Sequence, residues 1–312
     1  MVHRKSEDLL QLLRQLIDNG GWYDLKEKSF RRIIDTVVVG AMGPPGGGRN
    51  YLNPRVQRHF NILTITSFTD QTLSRIFNAI VGWNFDCNET FSSGVKGLAK
   101  PIVAATLDSY RMAVQRLLPT PQKSHYTFNL RDFSRVVQGI LLAKPTEDFD
   151  ENMLVRLWLH ELSRVFYDRL VAEDDREIFF QHIQVCVEKH FKVSLNKVLA
   201  GRSEDGAKEA TKETLRMLFF GNFMTPGVEN APYNEVSDIA KLRTTVTTYL
   251  EDYNAVSKTP MNLVLFLFAI EHVSRISRVI SMPGGNALLV GVGGSGRQSL
   301  TRLATFIADF EV

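Results

Sequence analysis

Apolar positions recur along this chain at helical spacing over most of its length and as short continuous runs near its two ends. Leu9, Leu10, Leu12, Leu13, Leu16 and Ile17 fall three and four apart between Glu7 and Ile17, and Asn19-Gly20-Gly21 follows, so the pattern predicts a helix with a glycine stop. Thr36-Val37-Val38-Val39-Gly40-Ala41-Met42 is a β-branched run that empties into Gly43-Pro44-Pro45-Gly46-Gly47-Gly48, as a buried parallel strand would. Ile62, Leu63 and Ile65 predict a second short strand over 61–66. From Thr69 onward the period becomes helical, with expected helices over 70–83, 95–118, 131–142, 151–171, 174–191, 236–255 and 260–280. Breaks come at Pro119-Thr120-Pro121 and Pro226-Gly227, and 201–210 and 221–234 have the composition of connectors.

The last run carries the chemistry. Asn286-Ala287-Leu288-Leu289-Val290 predicts a strand, Ser299 to Ala308 predicts a helix with Leu300, Leu303, Ala304 and Ile307 on one face, and Gly291-Val292-Gly293-Gly294-Ser295-Gly296-Arg297-Gln298 lies between them. Strand, loop and helix in that order, with Gly291 and Gly296 at the spacing of G-x-x-x-x-G-K-[ST], form a phosphate-binding loop. The alternative is a glycine-rich turn with no ligand. Two side chains depart from the pattern. Arg297 keeps the positive charge as a bulkier planar fork in place of an ammonium, and Gln298 offers an amide where a compact hydroxyl would ligate Mg²⁺. Gly291, Gly293, Gly294, Ser295, Gly296, Arg297, Gln298 and Ser299 are therefore the expected ATP- or ADP-binding residues, with Mg²⁺ poorly served. A nucleotide fold also needs later strands to carry an acidic metal ligand, and none follows, so the sequence reads as a fragment that ends inside a fold.

Composition adds limits more than leads. In 312 residues, 44% hydrophobic and 23% charged content is that of an ordinary globular chain. A balance of 37 basic against 34 acidic residues leaves +3, which gives no reason to expect a nucleic-acid or membrane partner. The N-terminal segment has no signal-like apolar core, no run is long enough to cross a bilayer, and Cys87 and Cys186 cannot make a disulfide framework, so the chain reads as cytoplasmic. His182, Cys186 and His190 share a helical face, but eight residues of helix span about 12 Å, too far for both histidines to reach one ion, and no metal site is expected. His160-Glu161 and Ser163-Arg164 read as ordinary helix residues, and Trp22, Trp83 and Trp158 as core.

Four stretches together resemble the axonemal dynein heavy chains: 41–50 (Ala-Met-Gly-Pro-Pro-Gly-Gly-Gly-Arg-Asn), 123–136 around Asn129-Leu130-Arg131-Asp132, Leu263-Val264-Leu265-Phe266, and Gly291 to Leu303. The resemblance covers essentially the whole chain. It implies an incomplete α/β AAA+ fold of the P-loop NTPase type, mostly α-helical in the middle with partial α/β pieces at both ends. It further implies a division into residues 1–70 as the C-terminal part of the large subdomain of a third AAA+ module, 71–235 as its helical lid with connectors, and 236–312 as the helices, first strand and P-loop of a fourth.

Roles follow from the same resemblance. Arg58, with Arg55 as second choice, stands where an arginine finger is presented to the nucleotide of the preceding module, against the alternative of a surface arginine paired with an acid. Asn50 stands in for the first sensor, because Gly43 occupies the usual polar place, and Arg131 stands as the second sensor, against an exposed pairing with Asp132 or Asp108. The implied function is a share in ATP-driven, minus-end-directed microtubule motility in the axoneme of cilia or flagella. The implied partners are neighbouring modules of the parent chain and, through the full motor, microtubules and intermediate and light chains. A free-standing interaction module of the same ancestry without ATPase activity is the alternative.

Overall fold

The computed structural model describes residues 2–43, 53–144, 149–201, 209–228 and 231–310. Two compact units emerge, residues 1–67 and residues 68–312.

In the first unit, helix α1 (Val2–Asn19) is followed by a two-stranded antiparallel sheet in which β1 (Gly21–Tyr23) pairs β2 (Phe30–Arg32) with Trp22 opposite Arg31. Tyr23 and Phe30 meet edge to face at 5.2 Å, and Arg31 closes the turn through Asp24 at 3.0 Å. Helix α2 (Pro54–Gln57) starts on Pro54, whose missing N–H costs nothing at a first helical position, and is capped by Asn53, whose Oδ1 accepts from the Arg55 N–H at 2.9 Å. The strands expected over 36–42 and 61–66 are not formed. A strand exists only as part of a ladder, and among the described residues none runs alongside these segments, so Val37 and Val39 stand 90% and 89% exposed.

In the second unit, α3 (Asp70–Cys87), α4 (Ser93–Gly97), α5 (Ala99–Arg116), α6 (Leu130–Ile140), α7 (Glu151–Val165), α8 (Glu173–Phe191), α9 (Leu195–Val198) and α10 (Lys212–Arg216) enclose one core of Phe85, Ile102, Phe133, Leu154, Trp158, Phe166 and Phe179. Trp158 is fully buried and donates its indole N–H to Thr106 Oγ1 at 2.9 Å, whereas Trp83 is exposed. The reason is phase: α3 buries Leu73, Phe77, Val81 and Phe85, a stripe of step four, and Trp83 lies off it. The single helix expected over 95–118 is two. Leu98 separates α4 from α5, and Pro101 falls in the first turn of α5, where no intrahelical partner for its nitrogen is needed. Helix α7 stops at Val165, short of the expected 171, and passes through one 3₁₀ turn over Tyr167–Arg169.

A second cluster forms from β3 (Phe219–Gly221) paired antiparallel with β4 (Asn234–Val236), together with α11 (Ile239–Val256), α12 (Leu267–Ser281) and α13 (Arg297–Ile307). The expected connector over 221–234 is therefore bounded by a strand pair, with Phe219 opposite Val236. Both residues, with Phe223, Val246, Ile270, Val273, Leu303 and Ala304, are buried together. Helix α12 begins at Leu267 and not near 260. Asn254 ties down the preceding segment, its Oδ1 accepting from the Met261 N–H at 2.7 Å and its Nδ2 donating to the Met261 carbonyl at 2.9 Å. No described helix is long and apolar enough to cross a membrane.

Candidate functional site

The glycine-rich loop sits where a helix start can be turned on an anion. Leu303, Ala304 and Ile307 bury one face of α13 against α11 and α12, and Phe306 meets Tyr253 edge to face at 5.5 Å, so the N-terminus of α13 is held by its own packing. Gly296 is the residue before the helix, with φ +72°, and Gly294 has φ +78°. Both lie in the left-handed region that L side chains resist, so the loop's path depends on glycine at these positions. Among the described residues no side chain caps α13, and the first helical bond is Leu300 N–H to the Gly296 carbonyl at 2.9 Å. The N–H groups of the first turn are left for a ligand, and the positive end of the helix dipole lies with them.

Around that start the side chains divide. Arg297 folds back, its Nη2 donating to the Val292 carbonyl at 3.2 Å, so its guanidinium braces the loop. At Gly291 an added Cβ would come within 3.3 Å of Ser295 Oγ and 3.5 Å of Arg297 Cδ, which shows how closely the loop returns on itself. Gln298 is exposed and Ser299 half-buried. The strand expected over 286–290 is absent for the same reason as the others: no described segment pairs with it, and Leu288 and Val290 are exposed.

The arginine and sensor candidates lie elsewhere. Arg58, in the first unit, donates from Nη2 to Asp18 Oδ1 at 3.3 Å and from Nε to His59 Nε2 at 3.2 Å, and its side chain is 63% exposed. Arg55 is exposed beside it in sequence. Asn50 lies outside the described residues. Arg131 stands in the first turn of α6, which is unusually well fixed. Asn129 Oδ1 accepts from the Arg131 N–H at 2.8 Å, Asp132 Oδ2 accepts from the Asn129 N–H at 2.9 Å, and Arg169 reaches Asp132 at 3.0 Å while lying over the Phe128 ring at 4.5 Å. The Arg131 side chain is exposed and makes no ion pair among the described residues. The two acids that could pair with it are engaged otherwise, Asp132 with Arg169 and Asp108 with Lys189 and His190.

A charged joint between the two clusters was missed by the sequence reading. Glu161, fully buried on α7, takes a two-pronged contact from Arg278 on α12, with Nε 3.1 and 3.0 Å from its two oxygens, and accepts from the Tyr233 hydroxyl at 2.8 Å. Burial disfavours the charged Arg278, but the facing carboxylate outweighs that and raises its pKa. His160 beside it has its pKa lowered well below the usual value, first by burial and then by Arg164, so it is neutral, with Nδ1 2.8 Å from the Leu218 carbonyl. Gly139 on α6 makes room for this group, because a Cβ there would collide with the Glu161 carboxylate. A signal was present in the sequence: α7 is apolar on every side, with Leu154, Val155, Leu157, Trp158, Leu159, Leu162 and Val165, and charged residues in such a helix must be buried with it.

The sequence matches a family described as "P-loop containing dynein motor region" over residues 5–68, a second described as "Dynein heavy chain, ATPase lid domain" over 86–176, and a third described as "P-loop containing dynein motor region D4" over 261–312. It is 47% identical over 303 residues to dynein axonemal heavy chain 3 of Mus musculus, covering 97% of this chain and 7% of that one. It is also 47% identical over 305 residues to dynein axonemal heavy chain 12 of Homo sapiens, covering 97% and 10%, and 43% identical over 312 residues to dynein axonemal heavy chain 1 of Homo sapiens, covering 97% and 7%. The chain spans a tenth or less of the length of these relatives.

Proposed function

We propose that this chain, which belongs to the axonemal dynein heavy-chain family across part of its P-loop motor region, holds the phosphates of ATP or ADP at Gly291, Gly293, Gly294, Ser295, Gly296, Arg297, Gln298 and Ser299 without hydrolysing them there. The observation that carries this reading is the uncapped start of α13 behind two left-handed glycines, with a glutamine where the metal-binding hydroxyl would stand. Backbone donors and the helix dipole bind phosphate without side-chain help. Hydrolysis needs a metal ion held at the β- and γ-phosphates and a positioned water, and Gln298 offers only an amide for the first.

On this reading residues 1–70 end the large subdomain of one AAA+ module, 71–235 form its lid with connectors, and 236–312 open the next. Arg131 reaches the nucleotide of its own module from the lid, and its exposed side chain, which makes no ion pair among the described residues, supports that role. Arg58, or Arg55 after it, serves the nucleotide of the preceding module as an arginine finger, and Asn50 serves as a first sensor. Arg58 would first leave Asp18, an exposed pairing of small energetic weight. The parent motor works in the axoneme of cilia or flagella, on microtubules and with intermediate and light chains. This segment contributes a regulatory nucleotide site to it.

The test is binding of a fluorescent ADP analogue by a heavy-chain piece running from Phe68 through the whole D4 region. The wild-type sequence is expected to bind, and Gly296→Val, which forces a β-branched residue to φ +72°, is expected to abolish binding. Undiminished affinity in Gly296→Val would remove the loop from the account.

A further inference from the structure

The helical face of α8 that carries His182, Cys186 and His190 cannot surround an ion by itself, but the structure brings a fourth group to it from α5. Asp108 Oδ2 lies 2.8 Å from His190 Nε2, and one ligand atom each from Asp108, Cys186 and His190 all fall within 4.8 Å of one another. On the other side of the thiol, His182 Nε2 is 3.1 Å from Cys186 Sγ, and Ser109 Oγ is 3.9 Å from it. The length of helix between His182 and His190, about 12 Å, keeps both histidines from one ion but leaves room for a set made of one histidine, the cysteine and a carboxylate of the neighbouring helix.

We propose that Asp108, Cys186 and His190 form a binding site for a Zn²⁺-class divalent cation, with the fourth coordination position facing the adjoining cleft. Thiolate, imidazole and carboxylate are the ligand types such ions take, and bonds of roughly 2.0 to 2.3 Å in a tetrahedron put ligand atoms about 3.3 to 3.8 Å apart. The observed set, contracted at one edge to 2.8 Å and within 4.8 Å overall, needs only side-chain adjustment to meet that spacing. The two ligands on α8 stand at i and i+4, neighbours on one helical face. Access comes from an open cleft of about 480 Å³ lined by Asp108, Arg111, Gln115, Gln181, His182 and Lys189. In the ion-free arrangement Lys189 occupies the Asp108 carboxylate at 2.6 Å, and with 61% of its side chain exposed it can withdraw into solvent. Burial pushes the Cys186 thiol up to about 11, so the ion binds by replacing the thiol proton, which leaves to solvent. The second cysteine, Cys87, is exposed and takes no part in this cluster.

Titrating the chain with Co²⁺ in a non-chelating reductant tests the site, because cobalt reports a bound thiolate by a sulfur-to-metal charge-transfer band. The expected result is one equivalent with that band, displaced by Zn²⁺, retained in Cys87→Ser and lost in Cys186→Ser. Asp108→Asn and His190→Gln are expected to weaken Co²⁺ binding by at least about 100-fold, the upper end of the loss when a mere orienting partner is removed. Lys189→Ala, at an exposed position where folding is not at stake, is expected to tighten binding several-fold by freeing Asp108. No saturable band in the wild-type chain, a band surviving in Cys186→Ser, or affinity unchanged or weaker in Lys189→Ala would overturn the site and leave Asp108 as the structural ion-pair partner of Lys189 and His190.

Discussion

The carboxylate of Glu161 is the residue on which the second unit's two clusters turn, and its surroundings set what a substitution there does. It is fully buried, receives Arg278 through both oxygens and Tyr233 through one, and occupies the space that Gly139 leaves open. Removing one partner of a buried pair strands the other charge, so Arg278→Ala should cost about 3 to 5 kcal/mol of stability, read as a lower urea midpoint. The double replacement Glu161→Gln with Arg278→Met removes both charges and should recover most of that loss; a double variant as unstable as the single one would show that packing, not the unpaired charge, dominates. The apolar surroundings of Glu161 in α7 signal its burial, but its partner could not be read from the sequence, because Arg278 lies 117 positions away. The phosphate loop was legible for the opposite reason. All of its groups lie within nine consecutive residues, and the spacing of Gly291 and Gly296 is dictated by the backbone and not by distant contacts.

Among the elements, helices were readable and strands were not. A helix satisfies its backbone within itself, so the 3.6-residue period at 70–83 or 174–191 is enough to announce it, and the structure extends these to α3 and α8. The apolar runs at 36–42, 61–66 and 286–290 need a neighbouring ladder, and the described residues supply none. Boundaries moved where a side chain intervened, as Asn254 does ahead of α12. The start of α6 shows the same force at a candidate site, since Asp132 closes the capping box on the Asn129 N–H and anchors Arg169 in one stroke. Asp132→Ala should therefore cost about 1 kcal/mol through the lost capping-box bond alone and speed amide hydrogen exchange over 129–133, in thermal melts and exchange mass spectrometry respectively. Unaltered exchange there would mean that Arg169 and Phe128 hold the turn without it.

At the scale of the whole molecule, the chain covers a tenth or less of its axonemal relatives, and its match to a dynein ATPase lid lies between matches to two P-loop motor regions. Val37, Val39, Leu288 and Val290 present apolar side chains to solvent and, among the described residues, join no ladder. The amides of 36–39 and 286–290 should exchange freely in this chain and become protected in the heavy-chain motor region. Equal exchange in both would show that these runs are not sheet strands of the motor. On the proposed function, the loop that follows the second run binds nucleotide through its backbone and does not use a metal-bound hydroxyl to hydrolyse it. The most direct test measures ATP and ADP affinity and phosphate release, with Mg²⁺ and with a chelator, on the piece from Phe68 through the D4 region. One nucleotide should bind with nearly the same affinity in both conditions, with no phosphate released above background; tight binding that requires Mg²⁺ together with sustained turnover would contradict that function.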